Sequence, residues 1–290
     1  PLVRFALSKL ALNTTWILSC SLSSARWAAT RRQRLSLSMT QGPAINVNSG
    51  PMRCGDGLAA PMQVFIGTDH HHRLAAQVLA HSLRSRSSVP IAITLLEQHQ
   101  LERAGLYWRP RDPLQSTDFS FSRFLVPALL GFRGWGLYLD GDMLCLDDPA
   151  NLWTLRDDQY AVQCVQHPVH AWGDAKMDGR VQTSYPRKNW SSLMLFNAAR
   201  CLQLGVDAVN TASGLQLHRF EWLADDSLLG ALPKRWNHLV QLDPPPPADQ
   251  PPALVHWTLG GPWLEGYADA GDSLASLWRH ELRQFQGVFV

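Results

Sequence analysis

The sequence predicts an α/β protein: a mainly parallel sheet flanked by helices, in a single domain spanning residues 62–290. Two observations predict it. From Gln63 onward, short β-branched and apolar runs alternate with amphipathic, helix-like stretches. Hydrophobic residues make up 46% of the 290 and charged residues 17%, a balance that supplies a core and excludes disorder over most of the length. In such a sheet a ligand site is expected at the carboxyl ends of the strands.

The elements follow in order. Val64–Ile66 is a short apolar strand ending at Gly67. A helix is expected over His70–Arg86, with Leu74, Val78, Leu79 and Leu83 on its apolar face and Asp69 as N-cap. Val89–Leu96 reads as a second strand and Phe119–Leu130 as a helix despite Pro127. Trp135–Leu139 reads as a buried strand, and Tyr160–Gln166 and Ser192–Phe196 as further strands. Pro244–Pro247 and Pro251–Pro252 mark an extended loop, and C-terminal helices are expected around Asp272–Phe285.

The net charge of +2 is unevenly spread. Residues 1–60 hold seven basic residues against Asp56 alone, so they carry +6 and the remainder carries −4. Residues 1–61 read as a basic, Ser- and Arg-rich tail without periodicity. Three readings stay open: an organelle transit peptide, a weak secretory signal, or a vector-derived or upstream segment preceding an initiator at Met62. Gly50–Pro61 reads as a connector. No stretch reaches the roughly 18 apolar residues of a membrane span. Five cysteines without a CxxC pair give neither a disulfide framework nor zinc-ribbon spacing. Cys145, Cys164 and Cys201 read as core thiols of a reducing compartment, so a cytoplasmic location is expected, with organelle targeting by the tail as the alternative. A body of charge −4 lacks the basic patch that nucleic acid requires.

The strongest chemical signal is Leu137-Tyr138-Leu139-Asp140-Gly141-Asp142-Met143. Two residues apart on extended backbone, Asp140 and Asp142 project to one side, as a hard divalent cation requires. Gly141 removes a side chain that would obstruct a ligand approaching the backbone. The plain alternative is a polar turn, for which Asp-Gly is a common dipeptide. His70–His72 is read as a solvated cluster rather than a metal site. Trp172, Trp190, Trp257 and Trp263 are candidates for stacking on an acceptor sugar, and His167 and His170 find no matching pair.

Six segments together resemble the family 8 glycosyltransferases: Val64–Asp69, Phe121–Phe124, YLDGDMLCLDDPANLW, Trp190–Asn197, Asp225–Leu229 and His256–Trp263. The resemblance runs from about Gln63 to Trp263. It implies a GT-A fold and retaining transfer of a hexose from a UDP-sugar with a divalent metal. Asp140, Asp142 and His256 match the metal ligands, and an imidazole favours Mn²⁺ over Mg²⁺. Thr68 and Asp69 match the loop that receives uracil and ribose. Arg123 matches a basic position near the nucleotide or donor sugar, and Ser191 and Ser192 match the donor-sugar pocket. Asp225 matches an aspartate that holds sugar hydroxyls, and Asp226 stands where the family has glutamine. Asp226 would act as nucleophile or stabilise an oxocarbenium-like centre; the alternative is front-face attack assisted by the departing UDP.

The chain departs from the family at two places. The closing pattern HxxGxxKPW reads here HWTLGGPW, so the lysine that contacts the diphosphate is absent. Gly260 and Gly261 offer backbone N–H groups instead, or Arg187 or Lys188 a charge. Trp190 stands where an asparagine is usual, with Asn189 one place earlier. A catalytically degenerate sugar-nucleotide-binding protein is the non-enzymatic alternative. A nucleotidyltransferase is disfavoured, because Gly67-Thr68-Asp69 is not a Gly-rich phosphate loop.

Overall fold

The β-branched and aromatic residues after Pro61 form β1 (Met62–Thr68), whose side chains are almost all buried. The structure, a computed structural model, describes residues 60–112, 115, 117–168, 186–269 and 273–288. The expected tail, Trp172 and His170 lie outside them. Ala60–Val290 forms one compact unit. Among the described residues no helix is long and apolar enough to cross a membrane.

After β1 come α1 (Arg73–Arg86), β2 (Ile91–Glu97) and α2 (Gln98–Arg103). A 3₁₀ turn at Ser122–Leu125 leads into the one-turn helix α3 (Val126–Leu129), and β3 (Trp135–Asp140) and β4 (Met143–Cys145) follow. Then come α4 (Pro149–Trp153), β5 (Val162–Cys164), β6 (Leu193–Asn197), α5 (Val206–Thr211), α6 (Gly214–His218) and β7 (Leu229–Ala231). The chain closes with β8 (His238–Leu239), β9 (Leu254–His256) and α7 (Ser273–Val288).

Six strands form the main sheet in the order β2-β1-β3-β6-β5-β7. All are parallel except β6, which runs against β3 and β5. That reversal matters for the site. The register pairs Leu139 with Leu193, so Ser191 and Ser192, just before β6, lie level with the carboxyl end of β3. A second sheet, β4-β9-β8, was not foreseen, because its strands are only two or three residues long.

Two apolar clusters hold these layers. Val64, Ile66, Leu137, Leu139, Leu193 and Leu195 of the main sheet pack with Ala76, Leu79 and Leu83 of α1. Val78, Leu144, Val255, Trp257 and Trp278 form the other, between α1, the small sheet and α7. Thus α1 is covered on two sides. Leu74, expected on its apolar face, is 39% exposed, and Ala75 and Ala76 are the buried residues of the first turn. The helix also starts three residues later than expected, with His72 rather than Asp69 at the N-cap position.

The single helix expected over Phe119–Leu130 is instead a 3₁₀ turn followed by α3. Pro127 lies in the first turn of α3, the place where a missing N–H and a fixed φ are tolerated. The proline-rich stretch 244–252 is an exposed loop without helix or strand. Cys145, Cys164 and Cys201 are buried free thiols, and burial pushes Cys145 and Cys201 up to about 12.

Candidate metal centre

β3 delivers Asp140 at its carboxyl end, and Gly141 turns the chain so that Asp142 precedes β4. The need for glycine is steric. A Cβ at Gly141 would sit 2.6 Å from the Gly67 carbonyl oxygen and 3.1 Å from Ala76 Cβ. The β3–β4 corner is therefore pressed against β1 and α1, which corrects the expectation that Gly141 opens room for a ligand.

The small sheet supplies the third group. Met143 pairs with His256, and the Trp257 N–H donates to the Asp142 carbonyl at 3.0 Å. These bonds bring together segments far apart in sequence. One ligand atom each from Asp140, Asp142 and His256 lies within 4.8 Å of the others, and all three residues are buried. His256 Nε2 is 3.3 Å from Asp142 Oδ1. Two carboxylates and one imidazole suit a divalent ion such as Mn²⁺. On this donor chemistry the residues fit the implied metal.

Asp140 and His256 are each held by neighbouring side chains. Arg123 forms a two-pronged pair with Asp140, Nη2 to Oδ1 at 2.9 Å and Nη1 to Oδ2 at 3.1 Å. Its Nη1 also donates to the Ser191 carbonyl at 2.8 Å. The Tyr138 hydroxyl donates to Asp140 Oδ1 at 2.7 Å. Asn237, fully buried, lies between the other two segments. Its Oδ1 accepts from His256 Nδ1 at 3.0 Å, and its amide donates to Ser192 Oγ at 2.9 Å. Fixing Nδ1 in this way leaves Nε2 toward the carboxylates, the usual arrangement behind a ligating histidine.

Burial drives the Asp140 carboxyl upward despite Arg123, and the neighbouring Asp142 charge adds to that rise. His256 and the Tyr138 hydrogen bond act in the opposite sense without cancelling it. A cation is the counter-charge that would stabilise both carboxylates here.

No family model matches the chain. Over 248 residues it is 44% identical to protein CDI of Arabidopsis thaliana, covering 83% of this chain and 93% of that protein. The chain belongs to the CDI family. Solved structures are similar to this CDI relative in fold at much lower identity. One is the galactosyltransferase LgtC in complex with donor and acceptor sugar analogues, with a TM-score of 0.51 and 13% identity, covering 77% of this chain and 96% of that one. Another is the glycosyltransferase GlyE of Streptococcus pneumoniae TIGR4, with a TM-score of 0.51 and 16% identity, covering 77% and 60%. The architecture of this CDI-family chain is that of the GT-A glycosyltransferases.

Around the triad, the CDI-family chain places the other expected residues as follows. Thr68 is buried and Asp69 half-buried at the end of β1, where both line a cavity of about 190 Å³ with Arg73, Glu97, Glu102 and Asp118. That cavity does not include the triad. Ser191 Oγ lies 2.8 Å from His218 Nδ1, and Ser192 Oγ donates to the Asn189 carbonyl at 2.7 Å. The Gly260 N–H donates to the Trp257 carbonyl. Gly260 has φ +125°, against the Tyr267 ring, and a Cβ on Gly261 would strike Trp263 at 2.2 Å. These glycines are thus required by aromatic packing.

Asp225 and Asp226 are exposed and lie just ahead of β7, three strands across from β3. Asp225 caps the following turn by accepting from Ser227 N at 2.7 Å, and Asp226 pairs with Arg187 at 2.5 Å. With Arg219 and Phe220 they line a separate cavity of about 460 Å³. His72 corrects the expectation of a solvated cluster. It is buried against Asp69, Phe119 and Trp263, whereas His70 and His71 are exposed. Tyr138 and Asn237, which touch the triad, and His218, which touches Ser191, were given no role from the sequence, where nothing marks such residues as neighbours of a site.

Proposed function

We propose that the chain is a metal-dependent retaining glycosyltransferase that moves a hexose from a UDP-sugar to an acceptor. The observation that carries this reading is the convergence of Asp140, Asp142 and His256 at the carboxyl end of β3 in a GT-A fold. These three would hold the ion, with Mn²⁺ favoured by the imidazole. When bound, the ion supplies charge neutralisation for the departing diphosphate.

The chain's own residues account for the rest. Arg123 and Tyr138 fix Asp140, and Asn237 orients His256, so the ligands need little reorganisation. Thr68 and Asp69 place a base and ribose at the end of β1, as the cavity there supports. Ser191, Ser192 and Gly261 border the donor sugar. Asp225 and Asp226 face the sugar or its acceptor from the second cavity. Front-face attack is favoured over a nucleophilic Asp226, whose exposed carboxylate is turned to Arg187 and lies ahead of β7, three strands across from Asp140.

The test is UDP release from a panel of UDP-sugars with Mn²⁺, with and without added acceptors. Turnover, including donor hydrolysis, should vanish with EDTA and in Asp142→Asn. Metal-dependent UDP binding without turnover across the panel would replace the enzyme with a sugar-nucleotide-binding protein.

A further inference from the structure

His72 is 5% exposed, yet it is held as though for use. Its Nδ1 lies 2.7 Å from Asp69 Oδ1, and its backbone N–H donates to the same oxygen at 3.0 Å. The ring is set edge-on between Phe119 and Trp263, with centroids 5.6 and 6.1 Å away. The other ring nitrogen, Nε2, is buried and finds no hydrogen-bond partner among the described residues. Trp263 Nε1, on the facing ring, is buried and partnerless in the same way. A buried polar atom left unpaired is unfavourable, and two on adjoining rings point to a polar group brought in by a ligand.

The surroundings define that group. Asp69 pairs with the ring directly, and the His72 carbonyl accepts from the N–H of Ala76, the residue packed against Gly141 between Asp140 and Asp142. His72 does not belong to the group of three that converges for a metal. It stands one helical turn from Ala76, which abuts Gly141 between the two aspartates, so a group held by the metal would come within its reach. On the reading given under Proposed function, that is a nucleoside diphosphate. We propose that His72 and Trp263 bind the donor diphosphate, Nε2–H and Nε1–H donating to phosphate oxygens in place of the lysine absent from HWTLGGPW. Burial by itself would lower the His72 pKa, but the Asp69 hydrogen bond and the charges of Asp142, Asp69 and Asp140 together raise it. The arrangement requires both ring protons, Nδ1–H directed to Asp69 and Nε2–H to phosphate. Asp69 is a positioning residue in this arrangement.

The test uses the full chain at saturating Mn²⁺. UDP binding is measured by calorimetry and uridine binding by ligand-observed NMR, for wild type, His72→Phe, His72→Gln and Trp263→Phe. His72→Phe should weaken UDP at least about tenfold and leave uridine within twofold, since a charge-assisted hydrogen bond to phosphate is lost. His72→Gln, which keeps an N–H donor, should recover part of that loss. Trp263→Phe should weaken UDP about threefold with a normal melting curve. Equal UDP affinity in wild type and both His72 variants overturns the inference while the glycosyltransferase reading stands. Parallel loss of UDP and uridine assigns His72 to the base instead and also overturns it. If the wild type binds no UDP with Mn²⁺, the UDP-sugar reading fails and the inference falls with it.

Discussion

Replacing Asn237 with alanine should weaken the candidate metal site and the fold together, by amounts that follow from its position. The side chain is fully buried and makes two hydrogen bonds, at 3.0 Å to His256 Nδ1 and 2.9 Å to Ser192 Oγ. Losing them removes about 1 kcal/mol each, and the stranded His256 N–H adds about 1–3 kcal/mol. The sum is about 3–5 kcal/mol. At about 2–4 °C per kcal/mol for a domain of this size, the melting temperature should fall by about 6–20 °C. His256 would also lose the bond that turns Nε2 toward Asp142, which should reduce Mn²⁺ affinity about 10–100-fold. Thermal melting and Mn²⁺ titration in the presence of UDP measure the two effects on one sample. Asn237→Asp keeps an acceptor for Nδ1 and should hold Mn²⁺ better than the alanine variant. An alanine variant that melts lower but keeps Mn²⁺ affinity within twofold would refute the positioning argument. An unchanged melting temperature would refute the network itself.

Gly141→Ala should destabilise by about 1–3 kcal/mol, read by thermal melting, because the added carbon meets backbone at Gly67 and cannot be accommodated by a rotamer change. Glu281, buried beside Arg86 at 2.8 Å and His81 at 2.6 Å, gives a pH dependence. Burial opposes its ionisation, but Arg86 and His81 outweigh that and hold its carboxyl below the usual value. Its contribution is therefore present above the unfolded value of about 4.3 and lost as pH falls through the lower folded value. Melting curves should show Glu281→Gln less stable at pH 7 and less sensitive to acid below about pH 5. Asp226→Asn should retain turnover within a few-fold in the UDP-release assay; loss of a thousandfold or more would revive the nucleophile.

Much of the fold was legible because it is written in contiguous runs. Val64–Ile66 and Leu137–Leu139 are apolar at every position, as strands buried on both faces must be, and Asp140-Gly141-Asp142 interrupts the second run abruptly. The direction of β6 was not legible. A buried antiparallel strand has the same composition as a parallel one, and only pairing reveals that Ser191 and Ser192 start it at the level of Asp140. The small sheet escaped for a related reason: two- and three-residue strands have no period to detect. His256 was identified through resemblance, whereas Asn237 and Tyr138 act by spatial contact alone. His72 was misread because Asp69 folds the His70–His72 segment into a turn, which sends one histidine inward and leaves two outside.

The pairing of Met143 with His256 also sets an order on the protein's biogenesis. The two halves of the triad are separated by about 110 residues, a loop whose closure is entropically unfavourable until β4 and β9 zip together. A nascent chain that has exposed Asp140 and Asp142 still lacks its imidazole until about 110 more residues emerge, several seconds at ordinary synthesis rates. Through that interval the acidic pair is an incomplete chelate. Loading of the proposed metal would thereby be tied to arrival of the C-terminal segment, and truncation before β9 would remove the triad even if the main sheet folded.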